Sequence, residues 1–308
     1  MALTLLEASK LNSGNAVRSA IIELYARSSD LLNALPFTNI AGNALKYNRE
    51  ETLPGVGFRG VNEGYTEGTG ILNPVVEVLA IAGGDLDVDK FILDTMGQDQ
   101  RSVQEAMKVK ALALRWTKEF IKGDNESDPK VISGLQARIT GSQLISAGAT
   151  ANGAALSLSK LDELIDLVDN PTHLIMNKTM RRRLSAAART ASVGGYITYE
   201  LDAFGRRVSK YNDIPILIAD KDNTNTDILG FTEAASSGTS TATSIYAVSM
   251  GDEGVVGIQN GDIDARDLGE IEAKPALRTR VEWYAGVAIY KGRAAARLRH
   301  IGDLAVVA

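Results

Sequence analysis

Gly55, Gly57 and Gly60 stand in LPGVGFRGVNEGYTEGTG, residues 53–70, at the G-x-G-x-x-G spacing with which dinucleotide-binding proteins cradle a pyrophosphate. That chemistry needs a strand before the glycines and a helix opening on the third, so that backbone N–H groups face the phosphate. Neither flank fits. KYNREETLP upstream is charged and closes on Pro54, and Asn62, Gly64, Gly68, Gly70 and Pro74 downstream give no helix a start. An NAD-dependent enzyme would rest on these three glycines alone. Asp85, Asp87 and Asp89 in GGDLDVDKFILD imitate the opening of a calcium loop, but Lys90 replaces the required glycine and Met96 the bidentate glutamate. They read as solvated aspartates on alternate residues of a strand or turn, and Asp262, Asp264 and Asp267 are a weaker match still. His173 and His300, the two histidines, are far apart and have no H-E-x-x-H context. No serine elbow or phosphate loop occurs, so no catalytic residue, cofactor or metal ligand is expected.

The basic residues are the remaining candidates: Arg181, Arg182 and Arg183 together, then Arg278, Arg280, Lys291, Arg293, Arg297 and Arg299. Their long stems pack beside apolar positions while the charge reaches solvent or a carboxylate. A solvated face, ion pairing between subunits and contact with nucleic acid are the three readings of such runs. The net charge of −5 argues against a dedicated nucleic-acid binder, because neutralising phosphates takes clustered Lys and Arg. Zero cysteines exclude disulfides and thiol chemistry, and no apolar run nears the ~18 residues of a membrane span. A soluble protein made in the cytoplasm is expected.

The elements that must position these residues follow from periodicity. Val17, Ile21, Leu24, Leu31 and Leu35 predict an amphipathic helix over Asn15–Leu35, stopped by Pro36. ALKYNRE and ILNPVVEVLAIA read as the two strands of an arm, about 45–82, tipped by the glycine-rich stretch. An isolated hairpin is marginal in water, so its partner is expected to be another chain. A long helix over about 98–122 places Val103, Met107, Ala111, Leu114 and Ile121 on one stripe, with Gly123 as its C-cap, and would be about 37 Å long. Ser159 and Asp162 predict a cap before LDELIDLVD, and Asn177 a cap before KTMRRRLSAAART. THLIMN, IPILIAD, TSIYAVSMG and GVVGIQNG read as strands of a mixed sheet flanked by helices. EAASSGTSTATS reads as a mobile surface tip, and PALRTRVEWYAGVAIYKGRAAARLRHIGDL as a long or broken returning strand.

Taken in order, these parts resemble the major capsid proteins of tailed bacteriophages, most specifically in THLIMNKTMRRRL, DIPILIADK and RVEWYAGVAIYKGRAAARLRHI. The resemblance implies an α+β fold with an N-terminal arm (1–40), an extended two-stranded loop (41–82), a peripheral domain with a spine helix (83–158), a mixed α/β axial domain (159–271) and a returning C-terminal segment (272–308). It implies a structural protein, not an enzyme, that assembles into hexamers and pentamers of an icosahedral shell around double-stranded DNA, in a virion. Portal and separate scaffolding or decoration proteins are the implied partners, the DNA is contacted non-specifically, and no membrane is involved. An encapsulin-like nanocompartment shell is the alternative, and the long segment before the extended loop favours the phage reading. Arg59, Glu63, Tyr65 and Glu67 on the loop, and Arg278, Arg280, Trp283, Arg293 and Arg297 near the end, are the candidate intersubunit contacts. Some family members weld subunits through a loop lysine. Here no lysine lies between Arg49 and Lys90, and Lys46 sits at the arm's root, so the resemblance implies a non-covalent shell.

Overall fold

The computed structural model describes residues 3–4, 29–96, 99–189, 197–201, 207–236 and 238–307. Most of the helix expected over Asn15–Leu35, with Val17, Ile21 and Leu24, lies outside the described residues. Its end is α1 (Asp30–Ala34), which buries Leu31 and Leu32 and stops before Pro36 opens strand β2 (Pro36–Asn39).

Two sheets build the body. In the first, β1 (Leu3–Thr4) pairs β2, β2 runs parallel to β12 (Val255–Gln259), and β12 pairs the 16-residue strand β14 (Lys274–Ile289). On β14, residues 276–285 carry β5 (Ala80–Asp89) along one edge, while β13 (Asp264–Ile271) and then β12 share the other. The second sheet has the order β6 (Leu144–Ser146), β15 (Ala295–Ile301), β11 (Thr243–Val248), β7 (His173–Met176), β10 (Ile214–Ile218), β9 (Arg207–Tyr211), β8 (Ile197–Leu201). The division expected at residue 271 is crossed both ways: β12 and β13 belong to the first sheet with β14, while β15 returns to the second.

The strands β15, β11, β7 and β10 of the second sheet are buried on both faces, because successive side chains of a strand point to opposite sides. Tyr246 and Val248 of β11, with Ile175, Leu217 and Ala295, join a core shared with the first sheet and with α3 (Asp99–Lys122). Ile245 and Ala247, with Leu174, Met176, Ile216 and Leu298, face α5 (Leu158–Asp166) and α6 (Lys178–Ala187). Trp283, Trp116 and Phe37 meet at ring-centroid distances of 5.3–5.6 Å in the first core. Trp283 Nε1 donates to Gln259 Oε1 at 3.1 Å.

The long helix stands within one residue of expectation, but its buried stripe is Val109, Ala113, Trp116, Phe120 and Ile121. Val103 and Met107, expected on the core stripe, are 52% and 59% exposed. A helix this long carries more than one apolar row, and the strands beneath it select which one is covered. Gly123 ends the helix for a reason of space: a Cβ there would stand 2.2 Å from the Ile132 carbonyl oxygen and 2.4 Å from that of Glu119. The cap expected from Ser159 and Asp162 does not form. Ser157 precedes the helix, and Asp162 instead accepts from the Tyr211 hydroxyl at 2.8 Å. Asn177 does cap α6, its Oδ1 accepting from Met180 N at 2.7 Å.

The described residues of EAASSGTSTATS, all but 237, are tied back by hydrogen bonds where a mobile tip was expected. Glu233 and Ala242 exchange backbone hydrogen bonds, and Thr239 and Thr241 bind Asn152. α2 (Lys90–Met96) and α4 (Leu135–Arg138) complete the helices used below.

Candidate subunit interface

The extended arm is a two-stranded antiparallel ribbon of its own. β3 (Ala44–Thr52) and β4 (Ile71–Val78) pair from Ala44–Val78 out to Thr52–Ile71. The strand expected to run through residue 82 breaks at Leu79, and residues 80–82 already belong to β5. Beyond the ribbon, residues 53–70 form an irregular loop without regular secondary structure. No strand ends on Gly55 and no helix opens at Gly60, where a turn follows with Asn62 at φ 67°, so the three glycines lack the geometry of a pyrophosphate cradle. Leu53, Val56, Phe58, Val61, Tyr65, Ile71, Leu72, Val76 and Val78 are all exposed. Exposed apolar side chains gathered on one segment mark an interaction site, because their burial against a partner releases ordered water.

The loop tip is shaped by three of the residues singled out in the sequence. Glu63 Oε2 accepts from Gly60 N at 2.8 Å, Arg59 Nη1 donates to the Glu63 carbonyl at 3.2 Å, and the Arg59 guanidinium lies 5.1 Å from the Tyr65 ring centroid. Glu67 is exposed beside them. The tip therefore presents its apolar side chains on a partly preformed turn, which lowers the ordering cost of docking.

The root of the arm is locked to the body by a network the sequence reading missed. Glu77 of β4 receives both terminal nitrogens of Arg138 from α4, at 2.5 and 2.7 Å. The Tyr47 hydroxyl of β3 reaches Glu77 Oε1 at 3.3 Å and donates to the Ile289 carbonyl at 2.8 Å, with its ring edge-on to Tyr290. Burial, with the Glu77 charge next, pushes the Tyr47 phenol up to about 12. Glu77 and Arg138 are 61 residues apart, so only the apolar-to-charged break in VVEV hinted at a buried acid.

The C-terminal candidates divide. Arg278 makes two bonds to Asp87, at 2.7 and 2.9 Å, and Arg280 two to Asp85, at 2.6 and 2.9 Å, with Lys274 2.7 Å from Asp87. The three aspartates do alternate on a strand; Asp85 and Asp87 form an ion-pair ladder across β5 and β14, while Asp89 stays exposed and accepts from Phe91 N at 2.8 Å. The Arg278 and Lys274 bonds hold Asp87 well below the usual carboxylate range. Arg293 is exposed and lies 3.2 Å from Asp169. Trp283 and Arg297 are corrected outright. Trp283 is 0% exposed in its own core, and Arg297 is buried against Glu233 at 2.8 Å and Ser244 at 3.0 Å, so neither offers a surface to another subunit. His173 and His300 lie apart: His173 meets Thr172 and His300 meets Ser146. Among the described residues no three His, Asp or Glu side chains gather as a metal ion requires.

No protein-family model and no curated protein matches the chain. Solved structures do. The chain in the holo-SrpI encapsulin complex from Synechococcus elongatus PCC 7942 is 18% identical, with a TM-score of 0.63 over 90% of this chain and 89% of that one. The capsid chain of the native GTA particle is 15% identical, at TM-score 0.64 over 89% and 91%. This is the tailed-phage capsid fold. A chain from Mycobacterium phage Bobi has the same fold at 13% identity, TM-score 0.62 and coverage of 88% and 89%. In capsid-fold terms the β3–β4 ribbon is the extended loop and α3 the spine helix, and the match spans about nine-tenths of the chain.

Proposed function

We propose that the chain is the repeating subunit of a closed, self-assembled protein shell, and that this shell is the icosahedral head of a tailed bacteriophage enclosing double-stranded DNA. The observation that carries the reading is the extended loop. It belongs to a fold shared with capsid and encapsulin chains, and it displays Val56, Phe58 and Val61 to solvent with no described residue covering them. In a closed shell each such contact repeats by symmetry, so modest interface energies add over the particle. The arm, extended loop (41–82, with its ribbon at 44–78), peripheral and axial parts are those of the capsid scheme, except that β12 and β13 of the 159–271 segment join the first sheet and β15 the second. Rim contacts come from Arg59, Glu63, Tyr65 and Glu67, with the exposed Arg293 and the flanks of the Arg278 and Arg280 pairs as further ones. The shell is held non-covalently, for no lysine lies between Arg49 and Lys90. It is a component of the virion, made in the host cytoplasm, with portal and separate scaffolding or decoration proteins as partners.

The match to the encapsulin chain supports a second reading, a nanocompartment around cargo proteins. Negative-stain microscopy with light scattering on the expressed chain tests the shell itself: uniform closed particles or capsomer rings are expected, and a stable monomer or dimer under every condition refutes it. Portal, terminase and tail genes beside this one mark the phage head, and an adjacent cargo-enzyme gene marks the nanocompartment.

A further inference from the structure

Helix α6 carries a charge pattern that the shell contacts do not use. Its inner face buries Met180 and Leu184, and its N-terminus is capped by Asn177. Lys178, Arg181, Arg182, Arg183 and the following Arg189 are cations, with no acidic residue between them. Lys178 pairs with Asp220 and Arg183 with Asp303, whereas Arg181, Arg182 and Arg189 have no acidic partner among the described residues. At about 100° per residue, Lys178, Arg181, Arg182 and Arg189 fall within one arc of roughly 100°, with Ser185 among them and Arg183 to one side, so these four cations share one outward face. From Lys178 to Arg189 the stripe runs for about 16 Å.

We propose that this face of α6 binds the phosphate backbone of duplex nucleic acid, without reading its sequence. A duplex strand places a phosphate every ~3.4 Å, so the stripe spans about five of them, and arginine forks are suited to phosphate oxygens. A protein partner fits less well. Stable protein interfaces centre on buried aromatic or apolar anchors, and no large hydrophobic side chain of residues 178–189 is exposed. In an acidic chain a local stripe of this kind keeps contact non-specific and salt-sensitive. The inference rests on the DNA-enclosing reading of the shell and supplies the residues for it.

The test is fluorescence anisotropy of a short labelled duplex titrated with the full chain over about 50–200 mM salt. The triple variant Arg181→Gln, Arg182→Gln, Arg189→Gln is compared with wild type and with the same three positions changed to Lys. Each lost phosphate contact removes about 0.9 from the slope of log affinity against log salt, so the Gln variant flattens it by roughly 2.7. Over that fourfold salt range wild type then loses about fortyfold more of its affinity than the variant. The Lys variant keeps the slope, which shows that charge and not folding is lost. Equal slopes for wild type and the Gln variant, no duplex binding by wild type, or stronger competition by polyglutamate than by unlabelled duplex would each overturn the proposal. Light scattering on the same preparations reads shell formation separately, so shells that form without the slope change sink this inference alone.

Discussion

Replacing Glu77 with alanine tests whether the extended loop is held at its root by one buried ion pair. Glu77 and Arg138 are each mostly buried, with side chains 10% and 17% exposed, and meet through two bonds. Glu77→Ala leaves the Arg138 guanidinium enclosed without a counter-charge and the Tyr47 hydroxyl with the Ile289 carbonyl alone. Breaking a buried pair from one side costs about 3–5 kcal/mol, and the lower figure multiplies the opening constant of the root by roughly a hundred. Because the ribbon pairs with no other strand among the described residues, that cost falls on local opening before global unfolding. Hydrogen exchange should therefore show backbone amides of 44–52 and 71–78 losing about two decades of protection while those of 243–248 and 295–301 keep theirs. The double variant Glu77→Leu, Arg138→Met removes both charges and should recover most of the loss, since an apolar pair of similar volume is often neutral. Uniform loss of protection throughout the chain, or no loss at the ribbon, would refute the latch.

Raising the pH probes the same root through Tyr47, whose phenol is pushed from 10.0 up to about 12. The folded state holds this proton more tightly than the unfolded one, so its stability is intact below pH 10 and declines as pH rises through 12; Tyr47→Phe should flatten that decline in alkaline denaturation. His173 gives the opposite limb, because burial lowers it from 6.5 to about 4. Stability should fall as pH drops from about 6.5 to 4, and His173→Gln should remove that part of the acid transition in a melting series. Trp283→Ala, in the aromatic core with Trp116 and Phe37, should cost about 3–5 kcal/mol in urea unfolding, with Gln259 also losing its donor. Phe58→Ser with Val61→Ser should leave the unfolding of the unassembled chain within about 0.5 kcal/mol yet abolish particles in light scattering, since both side chains are exposed on the loop.

The long helix, the Asn177 cap and the two arm strands were legible because each rests on local signals: a sustained 3.6 period, one side chain three residues from the amide it caps, and alternation around a glycine-rich turn. What escaped depended on distant partners. Whether Val103 or Val109 faces the core is decided by β5 and β14, and neither can be read from the helix. Trp283 and Arg297 looked like surface anchors by residue type, but register placed both inside. The β8–β9 hairpin and β13 went unread although ITYEL and RVSKY alternate, because their charged positions made them resemble loops. On the loop, the four candidates lie exposed, while its anchor, spread over Tyr47, Glu77, Arg138 and Ile289, had no sequence signature at all.

β11 is buried at every residue, with Tyr246 and Val248 in one core and Ile245 and Ala247 in the other. A single strand is thus a common wall for both hydrophobic interiors. Neither interior can melt while the other keeps its wall in place, so the body should lose structure in one concerted transition. The loop beyond its latched root belongs to neither interior, so whatever it docks against leaves that body whole.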